Sequence, residues 1–168
     1  MEIINNNLMN DKINLIIENP SFVYNLKKIG ELEKHRKFCL HDMQHFLDVA
    51  RLMYIMSLEN NFKTPKYMIY ATALLHDIGR GEQYENGTPH HIASLIIAKK
   101  ILLECKYTDG EINEIIGAIS NHRNDSEDFN SLSDILYKCD KLSRNCVHCI
   151  AIDDCKWPKD KRNLKITY

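Results

Sequence analysis

The chain has 168 residues, 27% of them charged and 44% apolar, with 22 Lys+Arg against 23 Asp+Glu for a formal charge of -1. That length supports one domain able to bury roughly 70% of its unfolded surface. The apolar content excludes wholesale disorder, and the lack of a positive field excludes general nucleic-acid packaging.

Six glycines and four prolines fall almost entirely between apolar-periodic segments, and no alternating β-branched run suggests a strand, so the expected fold class is all-α, a single-domain compact helical bundle. Two weak helices are predicted near 10–18 and 21–37, divided by Asn19-Pro20, together forming a lid or packing layer. A third, over about 40–60, carries Met43, Phe46, Leu47, Ala50, Met53, Tyr54 and Ser57 on one side. Thr64-Pro65 opens a fourth whose run Tyr67–Leu75 is apolar almost all round and belongs in the middle of the bundle. It should end at His76-Asp77-Ile78-Gly79-Arg80-Gly81, with the glycines taking a left-handed turn. Gln83–Gly87 reads as a loop leading to Thr88-Pro89 and a helix to about Cys105. Thr108-Asp109-Gly110-Glu111 is a capping box for a helix to about His122, and Ser131 or Ser133 can cap the last one, through Leu142. The basic tail, with Lys156, Lys159, Lys161, Arg162 and Lys165, reads as a solvated, partly frayed end. No stretch reaches the ~18 to 20 consecutive apolar residues of a bilayer span, and Met1–Asn7 lacks a basic region ahead of an apolar run; the expectation is a cytoplasmic protein without membrane association.

Eight histidines are many for this length, and several fall on inward faces. His122 continues the Ile115/Ile119 stripe, His45 lies beside Phe46-Leu47, His76 ends the apolar helix with Asp77 after it, and Asp140 adjoins Cys139 and Leu136. Buried imidazoles and carboxylates are costly unless paired or bound to metal, and a set converging from separate helices suggests a metal site.

These residues resemble the HD-domain metal-dependent phosphohydrolases, whose ordered signature is His, then His-Asp, then a distal Asp. His45 in Gln44–Ala50 matches the first position, Leu74-Leu75-His76-Asp77-Ile78-Gly79-Arg80 the doublet, and Lys138-Cys139-Asp140-Lys141-Leu142 the last. The dimetal subset adds two histidines, matched by His90 and His122; Ser94, one turn beyond His90, leaves room and favours it over His91. The resemblance covers roughly residues 41–144 and implies a single HD domain over 1–168, divided into an N-terminal helical layer (1–38), a metal-binding core (39–145) and a Cys-containing extension (146–168).

On this resemblance His45, His76, Asp77 and Asp140 hold one divalent ion, Asp77 bridges to a second held by His90 and His122, and the metal (Fe, Mn, Co, Ni or Zn) is not named by the ligands. The implied activity is cleavage of a phosphoester or phosphoanhydride bond of a small nucleotide-like substrate by a metal-activated water. Asp77, Arg80 and Lys141 are the expected catalytic residues, the latter two offsetting phosphate charge. Arg80 at a helix end equally suits a helix dipole, and Arg144 can pair with Asp140 at i,i+4. His41 reads as an outer or substrate-contacting histidine. Rival readings are a diiron oxygenase on the same ligands and a non-catalytic nucleotide sensor. Cys146, Cys149 and Cys155 have spacing that could hold a separate zinc, with His148, Cys39 or nothing as a fourth ligand; plain packing or free thiols is the alternative. A homo-oligomer stays open, because an apolar face buried between copies reads like one buried in a core.

Overall fold

The computed structural model describes residues 11–121 and 131–168, and their regular structure is helical. After a helical segment over 11–18 come α1 (Pro20–Leu32), α2 (Met43–Glu59), α3 (Lys66–Leu75), α4 (Arg80–Asn86), α5 (His90–Glu104), α6 (Asp109–Asn121), α7 (Leu132–Leu142) and a 3-10 turn, Lys159–Lys161.

The helix starts follow local chemistry. Asn19 Oδ1 accepts from the amides of Ser21 and Phe22, Asp42 accepts from the His45 amide, and Ser131 rather than Ser133 accepts from the Asp134 amide. The capping box is formed in both directions, Thr108 N to Glu111 Oε2 at 2.7 Å and Glu111 N to Thr108 Oγ1 at 3.4 Å. Thr64 does not cap α3; Pro65 holds the N-cap position without a side-chain hydrogen bond.

The apolar α3 lies at the centre, against α2, α6 and α7, while α5 packs on α6 and α4, and α1 covers α4 and α5. One face of this centre belongs to a core with Phe22, Ile29, Phe46, Leu74, Leu75 and Ile101, the other to a core with Val49, Met53, Ile69, Ile135 and Leu136. Residues 11–38 therefore supply a packing layer, with Ile16, Phe22 and Ile29 fully covered.

Three boundaries differ from the sequence reading. Helix α1 stops at Leu32 and not at 37, because the carboxylate of Glu33, its C-cap, turns inward to take the backbone N–H of His41 at 2.7 Å. Helix α2 accordingly starts at Met43, and His41 sits ahead of it in non-helical chain. The predicted loop Gln83–Gly87 is mostly helix α4, closed by Gly87 in the left-handed region (φ 72°). No apolar stripe marks that heptapeptide; it is held from outside, by Lys28 Nζ at 2.6 Å from both Glu82 and Glu85 and by a hydrogen bond from Tyr84 to Glu33.

The glycines of the His-Asp turn also act otherwise than expected. Gly79 has φ -86°, so it needs no left-handed freedom. Its lack of a side chain matters because a Cβ there would stand 2.3 Å from Ser94 N and 2.7 Å from the Ala93 carbonyl carbon. Ser94 Oγ accepts the Gly79 amide at 2.9 Å, locking the turn onto α5.

Glu111 ties three elements together, taking Lys12 Nζ at 2.9 Å, the Thr108 amide and the Tyr67 hydroxyl. Burial works to raise its pKa, but these donors prevail and bring it to about 2. The Glu33 carboxyl, also raised by burial and lowered more strongly by His41 and Tyr84, comes to about 2 as well. Because the unfolded chain takes up these protons first, at an ordinary value of 4.5, both contributions are complete above that pH and are lost as it falls toward 2. Thermal melts at stepped pH should show the melting temperature dropping through this window, and Glu111→Gln should show a shallower drop; equal slopes would contradict the assignment.

Candidate metal centre

The His76–Gly79 turn, the start of α2, the start of α5 and the end of α7 meet at one end of α3. His45, His76, Asp77 and Asp140, all buried, bring ligand atoms within 4.8 Å of one another, the one such group of three or more among the described residues. His76 Nε2 lies 3.6 Å from Asp77 Oδ2 and 3.8 Å from Asp140 Oδ1, and His45 Nε2 lies 3.4 Å from the same Asp140 oxygen. On the other side of Asp77, Oδ1 faces His90 Nε2 at 3.4 Å. His90 is buried and His91 half-buried, and it is His90 that the fold sets against the aspartate.

Each imidazole is held through its outer nitrogen. His76 Nδ1–H donates to Ala73 O at 2.7 Å, His90 Nδ1–H to Gln83 Oε1 at 2.8 Å, and His41 Nδ1–H to Glu33 Oε1 at 2.5 Å. The Ser143 hydroxyl is spent on Asp140 O at 2.8 Å, so it accepts from His45 Nδ1–H at 3.2 Å. In that tautomer the Nε2 atoms of His41, His76 and His90 direct a lone pair at carboxylate oxygens, an acceptor facing an acceptor, which a shared proton or a metal cation makes favourable. Asp77 Oδ1 accepts no hydrogen bond among the described residues although its side chain is almost wholly buried. A directional nitrogen set around two carboxylates therefore fits a divalent metal of the kind inferred from the sequence.

Burial, helped by Arg144, lowers His45 to about 4, so its ring is neutral and able to ligate at neutral pH. Burial raises Asp77 and Asp140, but hydrogen bonds and nearby positive charge outweigh it and hold both well below the ordinary carboxylate range. For Asp77 the opposing influence is the charge of His76, Arg80 and His41; for Asp140 it is hydrogen bonding by His45 and His76 together with the charge of His76 and Lys141.

Arg80 Nη2 stands 3.0 Å from Asp77 Oδ2. It occupies the first position of α4, where a helix dipole disfavours a cation, so the dipole alternative is removed. Lys141 Nζ lies 2.5 Å from Asp140 Oδ2. Arg144 does form the i,i+4 pair, at 3.2 Å from Asp140 Oδ1, and it also donates to His45 Nε2 at 3.1 Å and to Leu40 O at 3.1 Å. His41 Nε2 reaches to 3.6 Å from Asp77 Oδ2. His122 lies outside the described residues. Glu33, Gln83 and Ser143, which orient the imidazoles, carried no signal in the sequence: each is an ordinary polar residue whose partner is brought to it by tertiary folding.

A cavity of about 540 Å³ opens beside the cluster, its lining including Arg36, Arg80, His90, Asp140, Lys141, Arg144, Lys156 and Trp157. Its size suits a small ligand and its rim is basic. A smaller depression of about 280 Å³, lined by Asp48, Arg51 and Leu52 of α2, by residues 142–145 and by C-terminal residues including Asn163 and Tyr168, has no part of the His/Asp cluster in its lining.

The family model for the HD domain matches residues 42–145. An uncharacterized protein of Clostridium beijerinckii is 46% identical over 159 residues, covering 94% of this chain and 99% of that one. Ribonuclease Y of Oleidesulfovibrio alaskensis is 30% identical over 118 residues, and Ribonuclease Y of Clostridium kluyveri 30% over 111, covering 70% and 66% of this chain. The chain spans only about a fifth of those ribonucleases, 21% and 20%. No solved structure matches significantly. Among the described residues no helix is long and apolar enough to cross a membrane. The match over most of the chain, centred on helices that bring His45, His76, Asp77 and Asp140 together, places the protein in the HD-domain family, a family of metal-dependent phosphohydrolases.

Proposed function

We propose that the protein hydrolyses a phosphoester or phosphoanhydride bond of a small nucleotide-like substrate, using one or two divalent metals. The observation that carries this reading is the convergence of imidazole Nε2 atoms on Asp77 and Asp140 beside a basic cavity that His90 and Asp140 line. His45, His76, Asp77 and Asp140 would hold one ion, and His90 the second, with Asp77 between them and His122 as the further candidate. A divalent ion there would lower the pKa of a water and polarise a phosphoryl oxygen.

The chain's own groups have separable tasks. Arg80 presents a planar fork of donors at the cavity edge and Lys141 a point charge, both suited to phosphate oxygens and both already beside the site's carboxylates. Arg144, which donates to His45 and Asp140 and also lines the cavity, would add a further positive charge to the anion-binding rim. His41, fixed by Glu33, points its Nε2 at Asp77 Oδ2, while His90 points at Asp77 Oδ1. The likeness to ribonuclease Y extends the substrate class to phosphodiesters, and supports testing short RNA beside mononucleotides.

The test is phosphate or nucleotide release from metal-loaded protein, with nucleoside phosphates, cyclic nucleotides and short oligoribonucleotides as substrates. Metal-dependent turnover of a member of this set is expected. No turnover, with oxygen uptake and a mixed-valent diiron signal instead, would overturn the reading in favour of an oxygenase. Nucleotide binding without turnover under any metal would overturn it in favour of a sensor.

The two adjacent histidines give a sharper result. His90→Ala should lose the second ion and lower activity by more than about tenfold, whereas His91→Ala should leave metal content near wild type. Equal effects, read by elemental analysis, would contradict the placement of His90 at the second ion.

A further inference from the structure

Residues 146–158 form a run of turns without helix or strand. They bury little: Cys146 is 7% and Ala151 1% exposed, while Ile150 between them is 98% exposed. So small an apolar contribution does not offset the entropy of ordering the segment, and irregular pieces of this kind are commonly fixed by cross-links or metals. Part of the fastening is visible. Arg162 is not a solvated tail residue as its sequence context suggests; its guanidinium donates to the carbonyls of Ile152 (3.0 Å), Cys155 (2.8 Å) and Trp157 (3.0 Å). Asn163 Nδ2 donates to the carbonyls of Lys141 and Arg144 at 2.7 and 2.9 Å, and Lys37 pairs with Asp154.

The remaining fastening points are sulfurs. Cys146, Cys149 and Cys155 line the cavity, and the chain ahead of α2 contributes Cys39 to the same wall. None is in a disulfide. Burial raises the Cys39 pKa, Arg144 lowers it, and Cys146 and Cys149 raise it again, so their charges reach one another. His148, the other fourth ligand considered from the sequence, is exposed and does not line this wall.

We propose that Cys39, Cys146, Cys149 and Cys155 form a four-thiolate zinc site that fastens the 146–158 segment across the side of the cavity. Four soft ligands, two of them in a Cys-x-x-Cys pair, suit tetrahedral zinc. On binding, each thiol releases its proton to solvent and a metal–sulfur bond replaces the S–H bond, with no change of oxidation state. The sulfurs do not meet the 4.8 Å mutual spacing found for the His/Asp cluster, so the turns close up as the ion binds. Arg144 stands between the two centres, bound to Leu40 O next to Cys39 and to Asp140. Lys156 and Trp157, carried by the fastened segment, are thereby held as cavity wall.

Cobalt substitution tests this independently of hydrolysis. Metal-free, reduced protein titrated with Co2+ without oxygen should develop the thiolate-to-cobalt charge-transfer band in the near ultraviolet and the visible bands of a tetrahedral site. Asp77→Asn should keep this spectrum in full, since that change touches only the His/Asp centre. Cys39→Ser and Cys149→Ser should each weaken the band and reduce zinc affinity by more than about tenfold, with far-ultraviolet dichroism confirming that the helices persist. Absence of the band in wild type would overturn the site, and an unchanged band in Cys39→Ser would overturn the four-thiolate set. Iron with acid-labile sulfide in place of zinc in the isolated protein would overturn the choice of metal.

Discussion

Asp77→Asn is expected to abolish turnover and to strip the protein of the metal held at the His/Asp centre, while the helical fold persists. Asp77 turns both of its oxygens to candidate ligands and their neighbours: its Oδ2 lies 3.6 Å from both His76 and His41 and 3.0 Å from Arg80, and its Oδ1 lies 3.4 Å from His90. The amide keeps the shape of the side chain but removes the charge and replaces one oxygen by a donor. Loss of a partner that only orients a ligand costs about 10- to 100-fold in affinity or activity, so loss of this central ligand should exceed about 100-fold. Elemental analysis and turnover should fall together. A variant that kept full metal content would show that Asp77 is structural.

Gly79→Ala is expected to give the largest loss of stability for the smallest change in atoms. The added methyl would lie 2.3 Å from the Ser94 nitrogen, 2.7 Å from the Ala93 carbonyl carbon and 2.8 Å from the Ala93 Cβ. Two of these are backbone atoms of α5, which cannot move aside alone. Overpacking typically costs about 1–3 kcal/mol and more where backbone must shift, so a loss at or above about 3 kcal/mol by denaturant unfolding is expected. The same shift would pull His90, at the start of α5, away from Asp77, and metal affinity should fall with stability. Gly30→Ala, at a position where a Cβ meets nothing within 4 Å, is the control and should be neutral or slightly stabilising. Equal behaviour of the two variants would mean that the turn does not pack on α5 as described.

How much of this could be read in the sequence depended on whether the signal was local. The apolar run of α3, the break at Asn19-Pro20, the capping box at Thr108 and the cap at Ser131 are short-range patterns, and they correspond to elements of the structure. The His-Asp turn was recognisable because two polar residues end the most buried helix. Helix α4 was missed because its stability comes from Lys28 and Glu33, about fifty residues away in the chain. The reason for Gly79 was missed likewise: a left-handed turn is a local property, whereas contact with Ser94 is not. Glu33, Gln83 and Ser143 had no sequence signature as partners of the histidines, since what they do is defined only once three separate helices converge.

The measurement that bears most directly on the central claim is elemental metal content per chain, on protein purified without oxygen, chelators or an affinity-metal column, in wild type and Asp77→Asn side by side. The account predicts at least one equivalent of iron, manganese, cobalt, nickel or zinc that is present in wild type and absent from the variant. Folded wild-type protein that binds no metal at this centre even after supplementation, or an Asp77→Asn protein with the same metal content, would contradict it.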